Sequence, residues 1–129
     1  MSEKFTVEII SPDRSIIKTK TSHVKIPSYE GEMGILRDHI PLITFLRPGI
    51  IEIMDDRKEV FFVEDGTVEF NDNNLLILTS TAKEIKEANK NSLKNLLNEA
   101  EKKFENNKFS DKENYLLNYK IEVLKSITQ

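Results

Sequence analysis

The distribution of glycine and proline limits most strongly what this chain can fold into. All four glycines and all four prolines lie before residue 67, and the rest of the chain has neither. Glycine and proline interrupt helices and mark turns between strands, whereas their absence permits long helices. The chain therefore divides into a β-rich part and a helical part. We place the boundary after residue 82, which gives a first domain of residues 1–82 and a second of residues 83–129.

The first domain alternates short apolar segments with turn sequences. Residues 5–9, Phe-Thr-Val-Glu-Ile, alternate apolar and polar side chains with the period of two that is typical of a half-buried strand. Similar segments recur about every ten residues, and no helical periodicity lies between them. They are residues 16–17, 24–26, 40–46, 50–54, 60–63, 68–70 and 75–78. This pattern predicts an antiparallel β-sandwich or a flattened barrel.

In the second domain the apolar residues change to helical spacing. Leucines and other apolar residues three and four positions apart predict an amphipathic helix over residues 84–105. Ser110 and Glu113 have the spacing of a capping box, so a second helix is expected to begin there. The short interruption at residues 106–109 makes the pair an antiparallel hairpin. The predicted fold is thus α+β, an N-terminal antiparallel β-sandwich followed by a C-terminal antiparallel two-helix hairpin.

The second helix is apolar over a wide face. Such a face is too wide for contact with one neighbouring helix, so we expect the second helix to touch another surface as well. Its apolar residues are Leu116, Leu117, Tyr119, Ile121, Val123, Leu124 and Ile127.

Composition excludes several classes of function. The chain has no cysteine, and its two histidines lack the spacing of a zinc site. Gly31 and Gly34 lack the lysine and the third glycine of phosphate-binding loops, so we expect no cofactor. Lysines of the first helix alternate with glutamates, a mixed face that does not indicate nucleic-acid binding. No apolar run approaches the ~18 residues of a membrane span, and no export or organelle signal is visible.

One residue is a candidate for catalysis. His39 follows Asp38, and Glu30 and Glu32 precede it closely in the sequence, so a general acid or base could be assembled from them. We prefer the interpretation in which loop backbone groups satisfy the ring nitrogens of His39. A small hydrolase centred on His39 remains an alternative.

Three segments carry a more specific pattern. Residues 28–42 contain Glu-Gly-x-x-Gly-Ile-Leu followed by His-x-Pro-Leu, residues 47–53 read Arg-Pro-Gly-Ile-Ile-Glu-Ile, and residues 63–70 read Val-Glu-Asp-Gly-Thr-Val-Glu-Phe. In order and spacing they resemble the epsilon subunit of F-type ATP synthases, which is called delta in mitochondria. The resemblance covers residues 5–82, and the last third of the chain matches mainly in topology. The family has a β-sandwich followed by a helical hairpin.

The resemblance implies a rotor subunit that is not an enzyme. In the family, the sandwich binds the gamma subunit and rests on the c-ring, which couples proton flow to ATP synthesis. The loop of Ser28, Tyr29, Glu30, Gly31 and Glu32 would then face the c-ring, and His39, Pro41 and Leu42 would lie near gamma. The expected location is the cytoplasmic face of a bacterial inner membrane, with indirect membrane contact. The matrix side of the mitochondrial inner membrane is the alternative.

The resemblance also implies a second role, in which the hairpin reaches the catalytic alpha and beta subunits and restrains ATP hydrolysis. Family members that bind ATP carry Ile/Leu-Asp-x-x-Arg-Ala at the first helix, where residues 88–93 here read Ala-Asn-Lys-Asn-Ser-Leu. Because the acid and the arginine are missing, we expect weak or absent nucleotide binding. An ATP-sensing module, with the hairpin folded over nucleotide, is the alternative function. Lys112, Lys120 and Lys125 are the basic residues on the second helix, and they leave inhibition of hydrolysis open.

Overall fold

A computed structural model describes residues 3–106 and 110–128. Short strands fill the first part of the chain, and helices follow. The strands are β1 (Phe5–Ile10), β2 (Ser15–Thr21), β3 (His23–Ser28), β4 (Gly31–Leu36), β5 (Leu42–Leu46), β6 (Gly49–Met54), β7 (Lys58–Val63), β8 (Gly66–Asn71), β9 (Asn74–Leu78) and β10 (Lys83–Glu84). A 3₁₀ turn, Glu87–Asn89, precedes the helices α1 (Lys90–Asn106) and α2 (Asp111–Thr128).

The strands form one curled sheet that folds into two layers. Layer I has the order β4-β3-β6-β7-β10, and layer II has the order β5-β8-β9-β1-β2. Ser28 of β3 pairs with Leu46 of β5 and joins the layers at one corner. The pairing of β1 with β9 is parallel, and the other pairings between strands are antiparallel. The predicted sandwich and hairpin are therefore confirmed.

The main core lies between the two layers. Alternation along β1 places Phe5, Val7 and Ile9 inside, as the period of two predicts. The ring of Phe5 meets the ring of Phe70 edge to face, with centroids 5.6 Å apart. The remaining buried members come from both layers: Val24, Ile26, Ile35, Leu46, Ile51, Ile53, Phe61, Val63, Val68, Leu75 and Ile77.

The helical hairpin covers the outer face of layer I. Phe62 of β7 lies between two residues of the main core, so its side chain points away from that core. It is fully buried against Leu93 of α1 and Leu124 of α2. Half-buried side chains complete this contact: Ile85, Leu96, Leu97, Val123 and Ile127. The expectation that the second helix touches another surface is therefore confirmed, and that surface is layer I.

The helix boundaries confirm one prediction and correct another. Ser110 caps α2, since its Oγ accepts from the Glu113 N–H at 3.2 Å and the Glu113 carboxylate accepts from the Ser110 N–H at 3.4 Å. The first helix begins at Lys90 rather than at residue 84. The reason is that β10 continues layer I by pairing with β7. Of the predicted connection at residues 106–109, the last three lie outside the described residues.

The sequence prediction missed β4. It placed no strand between the segments at residues 24–26 and 40–46, whereas β4 pairs with the full length of β3 and the following strand begins at Leu42. The glycines at positions 31 and 34 conceal the alternation of Met33 and Ile35, which face the core.

Neither described helix is long and apolar enough to cross a membrane.

Candidate functional site

The loop predicted to face the c-ring is a tight turn between β3 and β4. Because Ser28 pairs with Gly31, Tyr29 and Glu30 form a two-residue connection. Gly31 has a φ of 127°, a backbone conformation that favours glycine. Ser28 is buried, and its hydroxyl donates to the Gly31 carbonyl oxygen at 2.6 Å. Ser28 therefore shapes the turn instead of offering its hydroxyl to a partner.

Three side chains of this turn are exposed, namely those of Tyr29, Glu30 and Glu32. Glu32 lies 3.6 Å from the Lys25 ammonium, a pair too exposed to neutralise the carboxylate strongly. No described residue forms an ion pair with Glu30. The turn therefore presents two carboxylates and an aromatic ring to any partner.

The connection between β5 and β6 holds this turn in place. The Tyr29 N–H donates to the Phe45 carbonyl at 3.1 Å, and the Arg47 N–H donates to the Pro27 carbonyl at 2.9 Å. Gly49 packs against the Pro27 ring, where an added Cβ would lie 2.4 Å from the proline Cβ. The position of the turn is thus fixed by layer II as well as by β3.

The segment predicted to face gamma lies at the other end of β4. His39 Nδ1 lies 2.7 Å from the Ile40 carbonyl oxygen, and its ring meets Phe70 edge on at 5.9 Å. A carbonyl only accepts, so Nδ1 donates, in line with the interpretation of His39 as a backbone-bonded loop residue. Pro41 is exposed, whereas Leu42 is half-buried against the main core.

The proposed catalytic grouping is not assembled. Six residues of β4 lie between Glu30 and the His39 segment, roughly 20 Å at the rise of a strand, and four lie between Glu32 and that segment, roughly 13 Å. Glu30 and Glu32 are therefore far from His39, and only Asp38 remains beside it. The Asp38 carboxylate accepts from the Asn73 amide at 3.0 Å. The described segments contain no group of three metal-binding side chains.

The structure also reveals an exposed apolar surface that the sequence analysis did not identify. Ile43 and Phe45 on β5 and Leu78 on β9 are 77%, 56% and 45% exposed. They point out of layer II, and we call these three residues the apolar face. A groove of about 730 Å³, lined in part by Phe45, Leu78 and Tyr29, connects this face with the turn. The sequence did contain an indication of this face. Residues 42–46 read Leu-Ile-Thr-Phe-Leu, which places apolar side chains on both sides of a strand.

Polar contacts between α2 and the sandwich were likewise not predicted. The Arg47 guanidinium lies 4.3 Å from the centre of the Tyr119 ring, and the Lys120 ammonium lies 2.6 Å from the Glu64 carboxylate. Tyr115 meets Tyr119 edge to face at 4.9 Å. The side-chain hydrogen bond with Tyr115 raises the pKa of Tyr119, and the positive charge of Arg47 opposes that rise. Tyr119 therefore stays an uncharged ring on which Arg47 can stack.

Residues 88–93, the stretch compared with the ATP-binding motif, contain side chains that contact other parts of the fold. Residues 88–93 span the end of the 3₁₀ turn and the start of α1. The Asn89 amide donates to the Glu84 carbonyl at 2.8 Å, and Leu93 is buried against Phe62. Weak or absent nucleotide binding stays a prediction.

Residues 4–85 match the family model of the β-sandwich domain of the ATP synthase delta/epsilon chain, so the chain belongs to this family. The ATP synthase epsilon chain of Pelagibacter ubique (strain HTCC1062) is 46% identical over 129 residues, which cover 98% of this chain and 99% of that one. The epsilon chain of Dichelobacter nodosus (strain VCS1703A) is 36% identical over 104 residues, 79% of this chain and 73% of that one. The resemblance identified from the three sequence segments is therefore confirmed.

A solved structure shares the whole fold. A chain in the cryo-EM structure of the Euglena gracilis mitochondrial ATP synthase, with OSCP, F1 and the c-ring in rotational state 1, superimposes with a TM-score of 0.78. The match covers 98% of this chain and 82% of that chain, at 24% sequence identity. Sandwich and hairpin thus occur together in a chain of distant sequence.

Proposed function

We propose that this chain is the non-catalytic epsilon subunit in the rotor of a bacterial F-type ATP synthase, where it helps to couple rotation of the c-ring to the catalytic head. Family membership and the two bacterial relatives support the assignment of this chain to an ATP synthase complex. The observation that carries the proposal is the asymmetry of the sandwich. The hairpin covers the outer face of layer I, whereas the outer face of layer II leaves Ile43 and Phe45 in solvent.

The apolar face is the surface that we assign to gamma. Clustered large apolar side chains in water mark contact surfaces, and burying them yields about 25 cal/mol per Å² of apolar area. The predicted gamma-facing residues His39, Pro41 and Leu42 lead directly into β5, which carries Ile43 and Phe45. Pro41 is exposed and continues the apolar face, whereas Leu42 is half-buried and supports that face from the side of the main core.

The turn at the opposite end of β4 is the surface that we assign to the c-ring. Glu30 and Glu32 supply negative charge for basic groups of the ring loops, and the fixed backbone of the turn holds both carboxylates in position. In this arrangement the chain lies peripherally on the cytoplasmic face of the membrane. The hairpin, within the second domain, is the element that could reach the catalytic subunits, with Lys112 and Lys125 exposed on α2.

Changing Phe45 to aspartate tests the assignment of the apolar face. We expect affinity for gamma to fall by at least about 30-fold, because a central aromatic contact is typically worth ~2 kcal/mol or more and a buried charge adds a penalty. The measurement is copurification of the tagged chain with its native partners, followed by calorimetry with purified gamma. Leu36→Asp is the matched control, since Leu36 is 58% exposed on β4, outside the apolar face. Unchanged binding by a folded Phe45→Asp variant would refute the assignment.

Reversing the charge of the turn tests its assignment to the c-ring. Because both carboxylates are exposed, we expect Glu30→Lys with Glu32→Lys to leave the thermal midpoint within about 2 °C of the parent. We expect ATP-driven proton pumping in inverted vesicles to fall several-fold relative to ATP hydrolysis. The control carries the same change of net charge at two exposed acids elsewhere, Asp56→Lys with Glu105→Lys. Equal pumping in the two double variants would remove the turn from the c-ring contact.

A further inference from the structure

The contact between the hairpin and the sandwich has an apolar part and a distinct polar part. Phe62, Leu93 and Leu124 are its fully buried apolar side chains among the described residues. Beside them, neighbouring residues of α2 reach two separate points of the sandwich. Tyr119 lies under the Arg47 guanidinium, and Lys120 pairs with Glu64.

We propose that Arg47 and Glu64 form a polar latch that sets how much of the hairpin is docked, and that ionic strength therefore shifts the docked population. The latch consists of the pairs Arg47–Tyr119 and Glu64–Lys120. This inference concerns the isolated chain and does not rest on the proposed function.

Both sandwich partners of the latch are held in place by the backbone. The Arg47 N–H donates to the Pro27 carbonyl, and the Pro48 and Gly49 that follow it are buried. The Glu64 N–H donates to the Thr81 hydroxyl at 3.0 Å. A side chain presented from a fixed backbone loses less freedom when it binds, so these contacts cost less entropy than ordinary surface pairs.

The two contacts also fix the orientation of α2. Apolar burial is non-directional and permits the helix to slide or rotate, whereas a guanidinium over a ring face and an ion pair each require a defined geometry. Tyr119 contacts the connection between β5 and β6, and the adjacent Lys120 contacts the connection between β7 and β8. Together the two contacts restrict both the position and the rotation of the helix. Burial of Phe62 thus favours docking of the hairpin, whereas the latch fixes the position and rotation of α2 on the sandwich.

The ion pair is sheltered enough to contribute to docking. The side chains of Lys120 and Glu64 are 17% and 29% exposed, whereas those of Lys25 and Glu32 in the turn are 40% and 71% exposed. Partly buried pairs are screened by salt less than exposed ones, but they are still screened. Raising the salt concentration should therefore weaken docking measurably without abolishing it.

Thiol labelling of a buried position measures the opening of the hairpin. The natural chain has no cysteine, so Phe62→Cys introduces a single thiol that becomes accessible when the hairpin leaves layer I. In the full chain, we expect Arg47→Gln and Glu64→Gln each to raise the labelling rate at position 62 by about 3- to 10-fold, from the usual strength of such contacts. Lys120→Met added to Glu64→Gln should give little further increase, because the two side chains act as one pair.

Salt provides the second arm of the experiment. Raising NaCl from 50 to 500 mM should increase labelling of the Phe62→Cys chain by about 2- to 5-fold, and less when both pairs are neutralised. In a separate chain, Val7→Cys places the thiol in the main core, where it reports sandwich opening and should respond to none of these changes. Lys4→Met removes an ion pair of similar length, 2.8 Å, with Asp55 on the surface of the sandwich, and should not affect labelling at position 62.

Two outcomes would overturn the latch. Unchanged amide hydrogen exchange of α2 in both Arg47→Gln and Glu64→Gln, measured in the cysteine-free chain, would show that the apolar contact alone docks the hairpin. Equal acceleration of labelling at positions 62 and 7 would show that these residues stabilise the whole fold instead. Because Phe62→Cys removes the ring that packs on Leu93 and Leu124, labelling reports changes only in the chains that stay docked. Amide hydrogen exchange of α2 in the cysteine-free chain therefore decides the test, with the same ranking of variants expected.

Discussion

Replacing Phe62 by alanine is expected to release the hairpin while the sandwich stays folded. Phe62 is fully buried, yet it packs on Leu93 and Leu124 of the helices and not on the main core. Truncating a buried phenylalanine typically costs about 3–5 kcal/mol, and here that cost falls on docking. Helices of 17 and 18 residues are marginal in water without such packing. Amide hydrogen exchange should therefore show loss of protection throughout α1 and α2, with protection retained in β1, β8 and β9.

Phe45→Ala is the matched control for this change. It also removes a strand phenylalanine, but one that is 56% exposed on the opposite layer, so its effect on the exchange of either helix should be within about 0.5 kcal/mol. If Phe62→Ala instead unfolds the strands together with the helices, the proposed division of the chain near residue 82 is wrong. The structure adds one refinement to that division, because β10 pairs with β7 and belongs with the sandwich.

A single methyl group at position 49 is expected to destabilise the sandwich by about 2–4 kcal/mol, at or above the usual cost of overpacking. In Gly49→Ala the new Cβ would lie 2.4 Å from the Cβ and 2.9 Å from the Cγ of Pro27. The proline ring has no rotamer that moves these atoms away, so the backbone of β3 or β6 must shift. Chemical denaturation followed by circular dichroism measures the loss.

Gly34→Ala is the control for Gly49→Ala. Its Cβ would meet the end of the His23 side chain at 3.0 Å, and a histidine ring can rotate away, so the cost should be below about 1 kcal/mol. In a Pro27→Gly background the substitution at Gly49 should also become less costly, since the blocking ring is gone. Equal costs for the two glycine substitutions would contradict the packing argument.

Much of the architecture could be predicted because local patterns agree with the fold. The period-two alternation in β1 and the capping box of Ser110 and Glu113 each report a local geometry that the structure contains. Prediction from local sequence fails where a residue type that is typical of one element lies in another. Gly31 and Gly34 resemble turn glycines but lie in β4, and Glu84 resembles the start of a helix but pairs with Phe61 as a strand residue.

The candidate site was predictable in part. The sequence placed Glu30 and Glu32 at an exposed turn, and the structure shows that turn with both side chains in solvent. It did not distinguish the buried Ser28 from its exposed neighbours, because burial there depends on the closure of a corner with Leu46. The pairs Arg47–Tyr119 and Glu64–Lys120 join residues more than 50 positions apart, and no local pattern reports such contacts.

The parallel pairing of β1 with β9 constrains how the chain is made. Residues 6–10 align with residues 74–78, and only β2 pairs with β1 from nearby in the sequence. On the ribosome, one edge of the first strand therefore stays open until more than half of the polypeptide has been synthesised. Such an open edge can recruit foreign strands, whereas the opposite side of the pair ends in β2, where the positive charges of Lys18 and Lys20 discourage that kind of association.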